Sequence, residues 1–310
     1  MYRVVFAGTP DFAVGALDFL SKNHQVVAVL TQPDRPKGRG KRLLPTPVKL
    51  RALALGLKVL QPEKITLETV RSLKELKPDF LVVSAYGLIL PQSLLDVPLK
   101  APINIHPSLL PRWRGAAPIQ HTILNGDKKT GVSIMKMEIG LDSGPFYTQI
   151  PFDIPLGMGA QALTNKLALI GSRALEEVIN AWDDVVETPQ PKGATYADKI
   201  TKERTIIDWS KSSEGVVNGI KAFDLMPGAR TYWNNLLVKV GSAKTSSIEG
   251  AEESEGKVIG KTSLGLLVQC GSGVCEVLTL QLPGRKMITV PEALNGAPLL
   301  AKAQFSSRKD

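Results

Sequence analysis

Short apolar runs alternate with amphipathic segments along the first part of the chain. Apolar runs typical of buried strands occupy residues 2–7, 26–31, 57–60, 79–84 and 102–106. Helical periodicity occupies residues 11–22, 47–55 and 66–76, between those runs. Two more strands at 130–138 and 146–154 precede a long amphipathic helix at 159–181. This alternation predicts an α/β domain over residues 1–187, with a Rossmann-like parallel sheet covered by helices on both faces.

The pattern changes after residue 187. Residues 188–205 are rich in proline and polar side chains, which indicates a linker. Beyond it we expect one helix at about 214–223, followed by five or six short strands with glycine- and asparagine-containing turns. Short strands at close spacing predict an OB-like β-barrel domain over residues 206–310. Such barrels often bind nucleic acids, but the fold alone does not decide the function.

Composition agrees with a folded protein of two domains. The chain has 310 residues, 43% hydrophobic and 22% charged, which excludes a disordered or fibrous protein. No apolar run approaches the ~20 residues of a membrane span, and the first run is too short for a signal peptide. Cys270 and Cys275 are the two cysteines. They provide no disulfide framework and too few ligands for a metal site.

Positive charge is in excess, with a net charge of +9 that favours a polyanionic partner. Within residues 35–51 there are seven basic side chains and no acidic one. Prolines and glycines interrupt this run and predict a basic, flexible loop rather than a regular element through its middle. The sequence leaves two interpretations open, a solvated loop or a loop that contacts phosphate groups.

Two nucleotide-binding motifs are missing or incomplete. The first strand-to-helix turn, Gly8-Thr-Pro-Asp, lacks the G-x-G-x-x-G pattern that binds a pyrophosphate, which argues against a nicotinamide dehydrogenase. The GKVIGKT stretch at 256–262 has one residue too few between its glycines for a P-loop and lies in the predicted barrel. We therefore expect no nucleotide cofactor at either place.

Candidate chemistry lies at the end of the strand at 102–106. Asn104 and His106 are two residues apart, so both side chains point to one face of the strand. In parallel sheets, ligands bind beyond the carboxyl ends of the strands. Asp142 lies between glycines in a turn. It can either accept the imidazole N–H and orient the ring, or make local backbone bonds that shape the turn.

At these residues the chain resembles the methionyl-tRNA formyltransferases, within the folate-dependent formyltransferase superfamily, over nearly its whole length. The stretches that carry the resemblance are FAGTPDFA (6–13), TQPDRPKGRGKR (31–42), AYGLILP (85–91), HPSLLPRWRGAAPIQ (106–120), GLDSG (140–144), ATYADKI (194–200), IDWS (207–210) and FDLMPGA (223–229). The Asn-x-His and Leu-Asp-x-Gly pair is common to the superfamily. The glycine- and arginine-rich loop and the length point to the member that acts on tRNA.

The resemblance implies a cytoplasmic enzyme of translation initiation that transfers the formyl group of 10-formyltetrahydrofolate to initiator methionyl-tRNA. It implies catalytic roles for Asn104, His106 and Asp142. The implied folate-binding residues are Tyr86, Gly87, Leu88, Ile89, Leu90, Ser108, Leu109, Leu110 and Pro111. We expect tRNA contacts from Arg35, Lys37, Arg39, Lys41, Arg42, Arg285 and Lys286. No metal is implied, and we expect a monomer.

In the expected mechanism, the Asn104 amide and protonated His106 donate hydrogen bonds to the oxyanion formed when the amine attacks the formyl carbon. Asp142 orients His106 and favours its charged form. Another folate formyltransferase or a formyl-folate hydrolase would share these three residues without needing the loop at 35–42. A non-catalytic tRNA-binding protein would not need the three residues at all, and here the set is complete.

Overall fold

A computed structural model of the chain describes residues 1–37, 42–224 and 228–309, without the side chains of Lys37 and Arg42. Packing divides the chain into two compact units. One unit comprises Met1–Gly115, Lys129–Asp153 and Thr164–Tyr196, and the other comprises Ala116–Lys128, Ile154–Leu163 and Ala197–Asp310. The units interleave along the chain and are defined by packing alone, so the domain bounds expected from the sequence stay a prediction.

The regular elements include those expected from the hydrophobic pattern together with several shorter ones. The helices of the described residues are α1 (Val14–Asn23), α2 (Pro47–Ala54), α3 (Leu67–Glu75), α4 (Gln92–Leu95), α5 (Pro118–Leu124), α6 (Ala160–Asn180), α7 (Ser213–Ala222) and α8 (Val290–Gly296). The strands of the first unit are β1 (Arg3–Gly8), β2 (Gln25–Leu30), β3 (Arg35–Lys37), β4 (Arg42–Leu44), β5 (Val59–Leu60), β6 (Phe80–Ser84), β7 (Ala101–His106), β8 (Arg114–Gly115), β9 (Lys129–Lys136) and β10 (Phe146–Asp153). The later strands are β11 (Tyr196–Ala197), β12 (Ala229–Trp233), β13 (Leu236–Ser246), β14 (Val258–Lys261), β15 (Leu266–Gln269), β16 (Val274–Gln281), β17 (Ile288–Thr289) and β18 (Phe305–Ser306).

The main sheet of the first unit joins seven of the described strands in the order β10-β9-β7-β6-β1-β2-β5. Five neighbouring strands of this sheet run parallel, namely β7, β6, β1, β2 and β5. This confirms the α/β class and the Rossmann-like sheet. The edge of the sheet beyond β7 differs from the expected parallel order, because β9 runs antiparallel to β7 and β10 runs antiparallel to β9. A direct loop at 137–145 joins these two strands, and a hairpin connection needs no crossover helix.

Both faces of this sheet are covered, which explains why the inner strands β1 and β6 are apolar along most of their length. On one face Val5 and Leu81 pack in a buried cluster with Val70 and Leu73 of α3. On the other face α6 lies so close that a Cβ on its Gly171 would be 2.6 Å from the Ile105 side chain. Because side chains alternate along a strand, Asn104 and His106 point away from α6.

The second unit is built around an antiparallel sheet in the order β14-β15-β16-β13-β12-β18, with β17 pairing with β16, among the residues described. The sheet curls until its edges meet, since Val258 N donates to Ala303 O (2.9 Å) and Phe305 N donates to Gly256 O (2.8 Å). Trp209 and Phe305 stack inside it, with ring centroids 5.7 Å apart. The OB-like barrel predicted from the short strands is thus confirmed.

The expectation of a single helix beyond Ile206 was wrong, because α8 follows β17. The Glu292 carboxylate accepts from Thr289 N (2.9 Å), as in a capping box, and it also accepts from Thr289 Oγ1 (2.7 Å). These bonds lower the pKa of Glu292. The Thr-Val-Pro-Glu sequence carries this start signal, but a helix of seven residues is too short to show a clear apolar periodicity.

The ends of the basic loop also differ from the expectation. Arg35–Lys37 and Arg42–Leu44 pair as short antiparallel strands. Pro36 fits there because a strand paired on one side only tolerates the missing N–H. Residues 38–41 of the loop, and residues 225–227 of the FDLMPGA stretch, lie outside the described residues.

No helix in the described parts of the chain is both long and apolar enough to cross a membrane. Cys270 and Cys275 are both buried in the barrel as free thiols. A hydrogen bond with Cys270, together with burial, raises the pKa of the Cys275 thiol. This agrees with a structural role for the pair.

Candidate active site

The structure brings Asn104, His106 and Asp142 together. Asn104 Nδ2 donates a long hydrogen bond to Asp142 Oδ1 (3.4 Å). His106 Nδ1 lies 3.6 Å from Asp142 Oδ2, with the imidazole buried and the carboxylate 15% exposed. The loop between β9 and β10 therefore folds back over the face of β7 that carries the two side chains.

Both ring nitrogens of His106 face oxygen atoms. Nε2 lies 2.9 Å from the carbonyl oxygen of Trp113. A carbonyl only accepts, so Nε2 must carry the proton in this contact. Nδ1 faces the Asp142 carboxylate, which also accepts. Only a doubly protonated imidazole can offer an N–H group to both neighbours.

The Asp142 turn has an unusual backbone. Asp142 has a φ of 45°, in the left-handed region. Its Oδ2 atom also accepts from the backbone N–H of Gly115 at 2.8 Å. At Gly144 a Cβ would lie 2.2 Å from the carbonyl oxygen of Lys136, so only glycine fits at this close approach. The carboxylate thus makes a backbone bond and faces the imidazole at the same time.

The implied folate segment at 108–111 is held by buried polar groups that sequence reasoning missed. Ser133 Oγ donates to Ser108 O (2.7 Å) and accepts from Leu110 N (3.1 Å). Gln149 Nε2 donates to Leu110 O (2.8 Å) and to Ser133 Oγ (2.9 Å). Ser108 and Leu110 are buried, whereas Leu109 and Pro111 are half-buried. A serine within the apolar run of β9 is a signal that could have revealed this network.

The implied folate segment at 86–90 begins in the core. Tyr86 is buried in the same cluster as Leu81 and has a hydroxyl with no hydrogen-bond partner among the residues described. Burial raises the pKa of Tyr86 to about 12. Its carbonyl accepts from Thr9 Oγ1 at 2.7 Å. Leu90 is buried, Leu88 is half-buried, and Gly87 and Ile89 are exposed, with Ile89 95% exposed. The backbone and the 87–89 side chains are therefore the parts within reach of a ligand.

The residues expected to contact tRNA lie in both units. Arg35 is exposed on β3, and Lys37 and Arg42 are paired residues of the β3–β4 hairpin. Arg39 and Lys41 are outside the described residues. In the second unit, Arg285 and Lys286 are exposed in the connection between β16 and β17.

Three polar side chains, Asp34, Lys49 and Gln61, form a network at the base of the β3–β4 hairpin, called here the polar brace. Lys49 Nζ lies 2.6 Å from Asp34 Oδ2, and Gln61 Nε2 donates to Asp34 Oδ1 (2.7 Å) and Gln32 O (2.9 Å). The hydrogen bonds from Lys49 and Gln61 lower the pKa of Asp34. The carboxylate stays ionised at neutral pH, so the brace persists there.

Groups of three or more His, Cys, Asp or Glu that could hold a metal ion do not occur within the described ranges. The three grouped residues Asn104, His106 and Asp142 instead combine an amide donor, an imidazole and a carboxylate. This set can stabilise a developing negative charge on oxygen and move a proton.

Comparison with known proteins gives the same family for both parts of the chain. Residues 2–179 match the family model described as formyl transferase, and residues 199–298 match formyl transferase, C-terminal domain. The methionyl-tRNA formyltransferase of Chromobacterium violaceum is 43% identical over 303 residues, which covers 96% of this chain and 98% of the relative.

Two solved structures are similar in fold. The methionyl-tRNA formyltransferase from Clostridium thermocellum is 19% identical with a TM-score of 0.58, over 83% of this chain and 100% of that chain. The N-formyltransferase from Helicobacter canadensis, solved in complex with folinic acid and dTDP-3-aminofucose, is 20% identical with a TM-score of 0.65. The match covers 90% of this chain and 99% of that one.

Proposed function

This chain belongs to the methionyl-tRNA formyltransferase family of enzymes, and from that premise we propose that it transfers the formyl group of 10-formyltetrahydrofolate to the α-amine of initiator methionyl-tRNA. The observation that carries the proposal is the meeting of Asn104, His106 and Asp142, which lie up to 38 residues apart in sequence. The curated relatives over nearly the full length carry the name of this activity. The solved formyltransferase with folinic acid supports a folate donor.

The proposed reaction moves one carbon between two nitrogens. The neutral α-amine of methionine, esterified to tRNA, attacks the formyl carbon attached to N10 of the folate. A free α-amine titrates near pH ~8, so a useful fraction is neutral at physiological pH. A new C–N bond forms and the formyl oxygen becomes an oxyanion. The C–N10 bond then breaks, the amine nitrogen loses one proton, and N10 gains one.

Asn104 and His106 are proposed to stabilise the oxyanion. The primary amide of Asn104 has two N–H groups, and the 3.4 Å bond to Asp142 uses only one. A donor aimed at such an oxyanion contributes about 3–4 kcal/mol to transition-state stabilisation. Protonated His106 supplies the second donor through Nδ1–H, because Nε2–H donates to Trp113 O whereas Nδ1 lies 3.6 Å from Asp142 Oδ2, longer than a hydrogen bond.

His106 is also proposed to relay the proton. As the C–N10 bond breaks, protonated His106 can deliver one proton to N10, and the neutral imidazole that remains takes the proton that the amine nitrogen loses. Asp142 stays ionised and holds the ring in place, with Oδ2 3.6 Å from Nδ1. The scheme needs neither a metal nor a covalent enzyme intermediate.

Both substrates have proposed contact regions on this chain. The folate is proposed to lie against residues 86–90 and 108–111, where Gly87, Ile89, Leu109 and Pro111 are at least partly accessible. The basic segment at 35–42 and Arg285 with Lys286 are proposed to contact tRNA phosphates, which position a substrate without reading its sequence. We propose that the protein works as a monomer in the cytoplasm, where translation starts.

An assay with several acceptors tests the function. Radiolabelled 10-formyltetrahydrofolate is incubated with the protein and, in parallel, initiator methionyl-tRNA, elongator methionyl-tRNA, an amino sugar nucleotide or buffer alone. We expect label on initiator methionyl-tRNA and little on the other acceptors. Release of labelled formate without an acceptor would instead indicate a hydrolase. Label on the sugar would indicate a different formyltransferase.

A further inference from the structure

Two residues that contact His106 are held in a left-handed backbone conformation. Asp142 has a φ of 45°, and Trp113, whose carbonyl accepts from His106 Nε2, has a φ of 60°. This region is unfavourable for residues with a side chain, and most of all for a bulky one such as tryptophan. Such conformations persist only where the surrounding structure fixes them. Something must therefore hold both residues in place.

Gln190 fixes the Asp142 turn. Its Nε2 atom donates to the carbonyl oxygens of Asp142 (2.8 Å) and Gly144 (2.7 Å). Its Oε1 atom accepts from Nε (3.0 Å) and Nη2 (2.7 Å) of Arg114. Carbonyls cannot donate and a guanidinium cannot accept, so only this orientation of the amide is possible. Both N–H groups and both lone pairs of the side chain are used.

Thr195 fixes the backbone of Trp113. Its Oγ1 atom accepts from the backbone N–H of Trp113 at 2.9 Å. The backbone of Thr195 adds two bonds, from its N–H to Pro111 O (3.2 Å) and from Arg114 N to its carbonyl (2.9 Å). The segment that carries Gln190 and Thr195 is anchored at its start by two backbone bonds between Thr188 and Phe146.

We propose that Gln190 and Thr195 are positioning residues, which hold the two oxygen acceptors of His106, the Asp142 carboxylate and the Trp113 carbonyl, at their places around the imidazole. The inference rests on the proposed function for its effect on turnover. Neither side chain is proposed to touch a substrate. Loss of either would let one left-handed residue relax, and the imidazole would lose an acceptor on one side.

Replacing Gln190 by glutamate tests the first half. Gln190→Glu keeps the size and the contact with Arg114, but it removes both N–H donors and places a carboxylate oxygen beside two carbonyls. We expect kcat to fall by about 10² because an atom misplaced by ~1 Å costs that much. KM for both substrates should stay unchanged.

Gln304→Glu in the other unit is a matched control. Gln304 Nε2 also donates to two carbonyls, Glu255 O (2.7 Å) and Phe305 O (3.2 Å). This variant should lose stability in the same way but keep the wild-type kcat.

Replacing Thr195 tests the second half of the proposal, the positioning of the Trp113 carbonyl. It also keeps the proposal testable if Gln190→Glu does not fold. Thr195→Val keeps the shape and removes the oxygen that accepts from Trp113, whereas Thr195→Ser keeps that oxygen. We expect kcat to fall in Thr195→Val and to be retained in Thr195→Ser. A purely structural role would instead make both variants similar, since each changes the side chain by one heavy atom.

A readout besides activity separates this inference from the proposed function. The chain has three histidines, so the ring NMR signals of His106 can be assigned by substitution. We expect these signals to shift in Gln190→Glu and Thr195→Val, and to stay in Thr195→Ser and Gln304→Glu. Wild-type kcat in folded Gln190→Glu and Thr195→Val would overturn the positioning role alone. A wild-type protein that transfers no formyl group would overturn the proposed function.

Discussion

The proposed chemistry depends on small distances around the imidazole of His106. Asp142 Oδ2 is 2.8 Å from Gly115 N but 3.6 Å from His106 Nδ1, so the carboxylate is tied more closely to the backbone than to the ring. Catalytic hydrogen bonds are often long without substrate and shorten when it binds. In the proposed mechanism the imidazole moves towards the formyl group, while the bond to Gly115 keeps the carboxylate in place.

We predict that Asn104→Ala lowers kcat by about 10²–10³, the cost of removing one oxyanion donor. The affinity for methionyl-tRNA should change far less, because the amide acts on the reacting oxygen. Steady-state kinetics with both substrates varied measures the two effects. Asn125→Ala is a control, since Asn125 also donates to a carboxylate, Asp127, at 2.6 Å but in an exposed position. Normal turnover in Asn104→Ala would contradict the role of the amide.

We predict that Tyr86→Phe leaves the protein at least as stable as the wild type. The Tyr86 hydroxyl is buried without a partner among the described residues, and removing such a group can stabilise a protein by about 1 kcal/mol. Urea denaturation measures the free energy of unfolding. A higher KM for the formyl donor would show that the hydroxyl contacts the folate. An unchanged KM would limit the role of Tyr86 to its backbone and ring.

At the scale of elements, the β3–β4 hairpin contains the basic segment at 35–42. The base of this hairpin is held by the polar side chains around Asp34. The bond between Lys49 and ionised Asp34 contributes its stability above the ordinary pKa of an aspartate, and it is lost as the pH falls through the lowered pKa of Asp34. The bond between Lys49 and Asp34 at the base of the hairpin therefore persists at neutral pH.

We predict that Arg39→Ala raises KM for methionyl-tRNA without changing folate binding. Each phosphate contact also contributes to the salt dependence of binding, so the slope of log Kd against log salt should fall by about 1. Lys58→Ala, which removes a charge outside the basic segment, serves as the control. An equal loss of tRNA use and folate binding would contradict the assignment of this segment to tRNA.

Elements with strong periodicity could be predicted from the sequence, and short ones could not. The apolar runs of β1, β2, β6 and β7 are long enough to stand out, because both faces of the sheet are covered. Helix α8 was missed although Thr289 and Glu292 carry a capping signal. The pairing of β3 with β4 could not be predicted from the sequence, because each strand has only three residues and is stabilised by its partner rather than by an apolar pattern of its own.

For the whole molecule, the fold followed from local patterns, but part of the site depends on contacts between distant residues. Asn104 and His106 were predictable because alternation along a strand puts them on one face. The role of Gln190 was not predictable, since its partners are the backbone carbonyls of Asp142 and Gly144, 46 and more residues away. Every residue has a backbone carbonyl, so such partners give no signal in a sequence. Its position in a polar, proline-containing stretch suggested only a linker.

The most direct measurement is a single turnover of labelled formyl transfer to initiator methionyl-tRNA by the wild type and by Asp142→Asn, with both substrates saturating. The substitution keeps the shape of the side chain and an oxygen for Gly115, but it removes the charge that faces His106. The account predicts formylmethionyl-tRNA from the wild type, and a rate at least ~10² lower in the variant, because general acid–base catalysis contributes that much. Equal rates in the two proteins, or labelled formate as the only product of the wild type, would contradict it.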